Sequence, residues 1–127
     1  MTSMLLHRLT RDFGYPVVDA DGLEPFLDQA GDLVLYLTGD PEKNLETDDV
    51  AVILPELASA FPGRFAPAIV DRAIEQGLRE RFDVWPTPSL LFVNGGVLRG
   101  AIAKVRDWDG YLEEIRDILS RPLPNSH

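Results

Sequence analysis

The sequence contains no cysteine among its 127 residues, and this absence excludes several kinds of chemistry. Disulfides, zinc–thiolate sites, iron–sulfur ligation and a thiol nucleophile all depend on cysteine. Histidine is scarce as well, because His7 and His127 are the only imidazoles and both lie near chain ends. A nucleophilic serine or threonine therefore has no well-placed base. We expect no catalytic residue, no metal site and no cofactor.

Basic residues are also few: the sequence has 12 Lys and Arg against 21 Asp and Glu, which gives a formal net charge of −9. This sign excludes a nucleic-acid binder, which needs a basic surface, and it disfavours anionic membranes. No apolar run approaches the roughly 18 residues of a membrane span. The N-terminus lacks the apolar length and the cleavage site of a secretory signal. We expect a cytoplasmic protein without membrane insertion.

The negative charge is concentrated in one third of the chain. Residues 17–60 contain eleven acidic residues and one basic residue, Lys43, a net −10. Two interpretations stay open at this point. The segment forms a solvated acidic face that aids solubility, or it guides a basic partner electrostatically.

Hydrophobic patterning predicts helices and strands in alternation, ending with a hairpin and a helix. A helical stripe ending at Phe13 comes first, and the last stripe begins at Trp108. The apolar run 33–37 predicts a strand covered on both faces. Helix N-caps are predicted at these residues: Asp21, Thr47 or Asp48, Asp71 and Asp107. We expect an α/β protein with one domain over residues 1–121 and a flexible tail at 122–127.

The segment from Pro88 to Val93, followed by a glycine turn and a strand, resembles thioredoxin. In that fold a strand rich in Val and Leu precedes the active-site helix, as residues 33–37 precede 50–58 here. The resemblance implies a thioredoxin-like three-layer α/β/α sandwich whose mixed sheet ends in an antiparallel hairpin. It aligns the redox Cys-x-x-Cys with Asn44-Leu45-Glu46-Thr47, where no sulfur is present. The redox chemistry is therefore missing.

A second resemblance covers nearly the whole chain. The N-terminal Leu-rich helix, the Gly39-Asp40-Pro41 loop, the Arg81-Phe82-Asp83-Val84 segment and the Arg99-Gly100 pair resemble the HupG/HyaE hydrogenase expression/formation family. This resemblance implies an accessory protein in the maturation of uptake [NiFe] hydrogenase. It also implies an association with the small subunit and with recognition of its twin-arginine signal.

The Thr87-Pro88 pair is the first candidate site. The resemblance implies a cis bond and a turn that leaves the Thr87 N–H and C=O facing solvent, where an extended peptide can pair with them. The alternative is that Pro88 only directs the following strand. Trp85 either forms an apolar wall of a peptide groove or packs beneath the loop.

The second candidate site is a negative rim beside this turn, because the resemblance makes the turn face the start of the acidic helix. Four acidic residues are predicted to form the rim: Glu42, Glu46, Asp48 and Asp49. The alternative explanation is that Asp48 and Asp49 simply favour the helix macrodipole.

The resemblance to the HupG/HyaE family, together with the acidic segment 17–60, leads us to expect a redox-inactive chaperone in [NiFe] hydrogenase maturation. Its expected partners are the small-subunit precursor with its signal peptide, bound before export, and other hydrogenase accessory proteins. One rival is a thioredoxin-fold oxidoreductase or transferase that uses an external thiol such as glutathione. The other is a scaffold that docks in a larger maturation complex without touching the signal.

Overall fold

The computed structural model describes residues 4–122, in which the predicted order of helices and strands is confirmed. The helices are α1 (Met4–Arg11), α2 (Leu23–Leu27), α3 (Glu46–Ala60), α4 (Arg72–Phe82) and α5 (Trp108–Ser120). The strands are β1 (Val17–Val18), β2 (Asp32–Leu37), β3 (Phe65–Val70), β4 (Ser89–Asn94) and β5 (Val97–Ala103). The tail predicted at 122–127 lies outside the described residues apart from Pro122.

The five strands form one mixed sheet in the order β1-β3-β2-β4-β5. β1, β3 and β2 are parallel, and parallel strands of one sheet need crossover connections, which here run through α2 and α3. β4 pairs antiparallel with β2 and with β5. The hairpin between β4 and β5 turns on Gly95 and Gly96, whose φ angles of 61° and 77° suit a two-residue turn.

Both faces of the central strands are buried, as the continuous apolar pattern predicts. Val34, Tyr36 and Phe92 pack in one cluster with side chains of α1, α3 and α5. Leu35 and Leu91 pack on the opposite face with side chains of α2 and α4. Helices on both faces of a mixed sheet make the three layers predicted from the sequence.

Two of the predicted helix caps are confirmed. The Asp71 carboxylate accepts a hydrogen bond from the Ala73 N–H at 3.4 Å at the start of α4. The Asp107 carboxylate accepts one from the Gly110 N–H at 2.8 Å at the start of α5. Each carboxylate satisfies an N–H that has no partner within its own helix.

The other two predicted caps are wrong. The N-cap of α2 is Gly22, not Asp21. The N-cap of α3 is Leu45, two or three residues earlier than predicted, and it has no side-chain cap, so neither Thr47 nor Asp48 occupies this position. Thr47 is buried, and its hydroxyl donates to the Thr38 carbonyl at 2.6 Å. A tertiary hydrogen bond has replaced the local one.

Two aromatic residues predicted in buried stripes are instead partly exposed. α1 ends at Arg11, because the N–H groups of Asp12 and Phe13 both bond back to the Arg8 carbonyl, and Phe13 then lies beyond the helix. Trp108 is the first residue of α5 and also keeps part of its ring in solvent. Both side chains line the same open cavity between α1 and α3.

Candidate functional site

The carboxyl end of β2 is tied to the first turn of α3 by two buried hydrogen bonds. The Tyr36 hydroxyl donates to the Thr47 carbonyl at 2.5 Å. The Thr47 hydroxyl in turn donates to the Thr38 carbonyl. Burial raises the pKa of Tyr36 far above its usual value, so this hydroxyl keeps its proton. The start of α3 is therefore fixed relative to the sheet.

Gly39 lies two residues after the end of β2 and allows a close approach to Thr87. Its φ is 70°, and a Cβ at this position would lie 2.6 Å from Thr87 Oγ1 and 2.6 Å from Asn44 Nδ2. The Gly39 N–H donates to the buried Glu75 carboxylate at 3.0 Å. Arg72 lies 3.7 Å from the other oxygen of Glu75. Glycine at residue 39 thus lets two distant parts of the chain meet.

The Thr87-Pro88 bond is cis, as the resemblance implies. Thr87 is half-buried and Pro88 is buried. Within residues 4–122 the Thr87 N–H has no hydrogen-bond partner. The Thr87 carbonyl differs from the expectation, because it accepts a hydrogen bond from the Lys104 ammonium at 2.9 Å. Of these two backbone groups, only the N–H has no hydrogen-bond partner among the described residues.

The structure also brings the start of α3 to this turn, as predicted. Asn44, which the resemblance to thioredoxin predicts at the position of the first redox cysteine, places its amide nitrogen 3.5 Å from Thr87 Oγ1. Glu46 accepts a hydrogen bond from the Val105 N–H at 3.4 Å and lies 4.0 Å from the Lys104 ammonium. Lys104 therefore sits between Glu46 and the Thr87 carbonyl.

Three of the four predicted rim residues share the acidic first turn of α3, by which we mean Glu46, Asp48 and Asp49. Asp49 is exposed and Asp48 is half-buried. Glu42 is exposed in the loop that precedes the helix, where its N–H donates to the Asp40 carboxylate at 3.0 Å. Lys104 offsets part of the negative charge beside Thr87, so the rim is less negative than the sequence suggests.

The acidic segment 17–60 does not form one continuous patch. Glu24 pairs with Arg81 at 2.7 Å. Asp32, at the opposite end of β2, pairs with the buried Arg99, also at 2.7 Å. Charge counted along the chain therefore overstates the charge available at the Thr87-Pro88 turn.

Trp85 is 44% exposed and is held at the end of α4. Its indole N–H donates to the Asp83 carboxylate at 2.9 Å. The Arg79 guanidinium carbon lies 5.5 Å from the ring centroid, within the range of a cation–π contact. The side chain is an oriented apolar surface two residues from Thr87.

Lys104 and Glu75 were not predicted from the sequence. Their contacts with the Thr87 carbonyl and the Gly39 N–H span 17 and 36 residues of chain. A local pattern carries no signal for contacts of this kind.

Within residues 4–122, no group of three His, Asp or Glu side chains is arranged to hold a metal ion. In the same range, no helix combines the length and the apolar character needed to cross a membrane.

Residues 5–111 match the sequence model of the family described as Hydrogenase-1 expression protein HyaE. The chain belongs to this family. It is 44% identical over 120 residues to the hydrogenase expression/formation protein HupG of Rhodobacter capsulatus, a match covering 94% of this chain and 87% of that protein. It is 46% identical over 122 residues to HoxO of Azotobacter vinelandii, covering 94% and 80% respectively.

Solved structures confirm the thioredoxin-like fold. The hydrogenase expression/formation protein HupG of Rhodopseudomonas palustris CGA009 superposes with a TM-score of 0.59 and 40% identity, over 83% of this chain and 95% of that one. Oxidised mitochondrial thioredoxin 3 of Saccharomyces cerevisiae gives a TM-score of 0.66 at 15% identity, over 83% and 96%. The second likeness concerns the fold alone. This chain is thus a hydrogenase expression/formation protein with a thioredoxin-like fold.

Proposed function

We propose that this protein is a cytoplasmic chaperone that binds the hydrogenase small-subunit precursor at its twin-arginine signal peptide before export. The observation that carries the proposal is the Thr87 N–H, which has no hydrogen-bond partner in the described part of the chain and lies on a half-buried turn next to the acidic first turn of α3. Family membership supports the hydrogenase-related partner. The binding site then comprises these residues: Glu42, Glu46, Asp48, Asp49, Trp85, Thr87 and Pro88.

An extended peptide segment pairs with the turn through backbone hydrogen bonds, which supply affinity without requiring a particular side chain. The Thr87 N–H donates the first of these bonds. The Thr87 carbonyl has a second lone pair, and its bond to the exposed Lys104 ammonium is easily exchanged for another donor. The indole of Trp85 flanks the bound segment and contacts its apolar side chains.

The acidic first turn of α3 supplies selectivity for arginine. Exposed ion pairs contribute only about 0–1 kcal/mol each. Asp49 and its neighbours therefore accelerate and orient the encounter more than they hold the complex. The site performs no redox step in this function, because residues 44–47 carry no sulfur where the redox pair would lie.

A stopped-flow titration with a labelled signal peptide tests this proposal. One peptide keeps its twin arginines and a second has glutamine in both positions. We expect the arginine peptide to associate faster, and its rate to fall with added salt. Neutralising the acidic first turn (Glu46→Gln, Asp48→Asn and Asp49→Asn together) should slow association several-fold.

A matched control changes the net charge equally at other exposed positions, through Asp21→Asn, Asp28→Asn and Glu113→Gln. This triple variant should associate at nearly the wild-type rate. Equal association of both peptides would remove the electrostatic role. Unchanged binding of a small subunit that lacks its signal peptide would instead support the scaffold alternative and overturn the proposal.

A further inference from the structure

A groove of about 580 Å³ lies between α1 and α3, and neither Thr87 nor Pro88 is part of its lining. Its lining is mainly apolar and comes from three elements of the chain. The apolar side chains that form it are Leu5, Leu9, Phe13, Val52, Pro55 and Trp108. We call this surface the α1/α3 groove.

Three of these side chains are partly exposed to solvent. Phe13 is 45% exposed, Val52 47% and Trp108 39%. Three large apolar residues from separate elements converge on a single concave surface. A concave apolar surface of this kind typically marks a binding site, whereas isolated exposed apolar residues need no explanation.

The groove and the acidic first turn lie on the same helix. Asp49, Val52 and Glu56 follow one another at spacings of three and four residues, which places them on one side of α3. At 1.5 Å of rise per residue, the six steps from Asp49 to Pro55 span about 9 Å. A ligand a few residues long can therefore contact the acidic turn and the groove together.

Two charged residues lie in the lining of the groove, one basic and one acidic. Arg8 is the only basic residue of the lining; its guanidinium pairs with Asp12 at 3.5 Å and covers the Phe13 ring at 5.9 Å. Glu56, also in the lining, is exposed. From the N-terminus of α3 onward, the surface thus changes from acidic to mainly apolar, with Glu56 as an acidic residue at the groove.

We propose that the α1/α3 groove binds the apolar segment of the signal peptide whose arginines contact the acidic first turn of α3. This inference rests on the proposed function. It assigns the arginines of the signal peptide to the acidic first turn and its apolar segment to the adjoining α1/α3 groove. Export signals carry a basic region followed by roughly 7–15 apolar residues. The surface along α3 complements this order, because an acidic turn is followed by an apolar groove. The apolar segment covers Val52 and Trp108, and the backbone before it pairs at Thr87.

Tryptophan fluorescence tests where the apolar segment binds. Trp85 and Trp108 are the only tryptophans, so Trp85→Phe leaves Trp108 as the single reporter. The probe is a synthetic peptide with the twin arginines and the apolar segment of a hydrogenase small-subunit precursor. We expect it to move Trp108 emission to shorter wavelength. A peptide that ends after the arginines should leave the emission unchanged.

A charge placed in the groove provides the second test. Val52→Asp should raise the dissociation constant of the full peptide about tenfold, because a valine contact is replaced by a desolvated carboxylate. The matched control is Val97→Asp at the start of β5, where valine is 37% exposed and lies outside the groove lining. It should leave the constant within about twofold of wild type, in the range of ordinary surface substitutions. Circular dichroism verifies that both variants are folded.

The outcomes separate this inference from the proposed function. The groove assignment is wrong if Val52→Asp binds the peptide as tightly as wild type and the Trp108 emission does not change. The proposed function still stands in that case if the arginine peptide associates faster than the glutamine peptide. If the full peptide does not bind at all, both fail. If Val52→Asp abolishes a dimer but leaves peptide affinity unchanged, a second copy of the chain occupies the groove and the inference is overturned.

Discussion

Replacing Gly39 with alanine tests whether this glycine positions the Thr87-Pro88 turn. The new Cβ would lie 2.6 Å from Thr87 Oγ1, 2.8 Å from Thr87 Cβ and 2.6 Å from Asn44 Nδ2. The Asn44 amide is the end of a flexible side chain and can move away. The Thr87 Cβ is attached to the turn itself, so the turn must shift.

The expected loss of stability has two parts. Alanine at a φ of 70° costs about 1–2 kcal/mol. Overpacking against Thr87 adds about 1–3 kcal/mol. Gly39→Ala should therefore lower the free energy of unfolding by about 2–5 kcal/mol.

Gly63→Ala is the matched control, because Gly63 has a φ of 72° and no atom within 4 Å of the added Cβ. It should lose only the backbone part, about 1–2 kcal/mol. Urea unfolding measures both values. The peptide titration should show weaker binding for Gly39→Ala and unchanged binding for Gly63→Ala. Equal destabilisation of the two variants, with equal peptide affinity, would refute the positioning role.

Three further predictions concern other residues around the site and the sheet. Lys104→Met removes a positive charge beside the acidic first turn, so the arginine peptide should associate about two- to fivefold faster at low salt in stopped flow. Tyr36→Phe leaves the buried Thr47 carbonyl without its hydroxyl donor, which should cost about 1–3 kcal/mol in urea unfolding. Burial raises the pKa of Tyr36 above its usual 10.0, so the unfolded chain releases this proton at a lower pH than the folded protein does. The free energy of unfolding of wild type should therefore fall as pH rises above about 10, and that of Tyr36→Phe should fall less. Gly100→Ala places a Cβ 2.7 Å from Ile118 Cγ1 and should destabilise the packing of α5 by about 1–3 kcal/mol in the same assay.

Each of these predictions has a control within the chain. Arg64→Met makes the same change in net charge at an exposed residue just before β3, at the opposite end of the sheet, and should accelerate association less. Equal acceleration would contradict a local effect of Lys104. Tyr111→Phe removes a longer bond of 3.3 Å and should cost less than Tyr36→Phe. Gly77→Ala adds a Cβ with no neighbour within 4 Å and should stabilise α4 by about 0.5–1 kcal/mol. Destabilisation by Gly77→Ala equal to that by Gly100→Ala would refute the packing argument.

Features that depend on local chemistry were predictable from the sequence. The Asp71 and Asp107 caps act on N–H groups two and three residues away, so the local sequence suffices to find them. The continuous apolar run 33–37 identified a strand buried on both faces. The Thr87-Pro88 turn and its position facing α3 followed from the resemblance to thioredoxin.

Features that depend on packing were not predictable. The Thr47 hydroxyl bonds to Thr38 in the interior instead of capping α3, and only the docked helix creates that choice. Lys104 and Glu75 reach the site from other elements. The α1/α3 groove also escaped sequence analysis, because helical periodicity assigned Phe13 to a buried stripe whereas α1 ends before it.

The most direct test of the central claim follows the Thr87 amide by NMR while the twin-arginine peptide is added to ¹⁵N-labelled protein. The account predicts that the Thr87 N–H signal moves downfield and that its hydrogen exchange slows as the peptide binds. The amides of residues 46–49 should shift over the same concentration range. Saturable binding that leaves Thr87 and residues 46–49 unchanged would contradict the account.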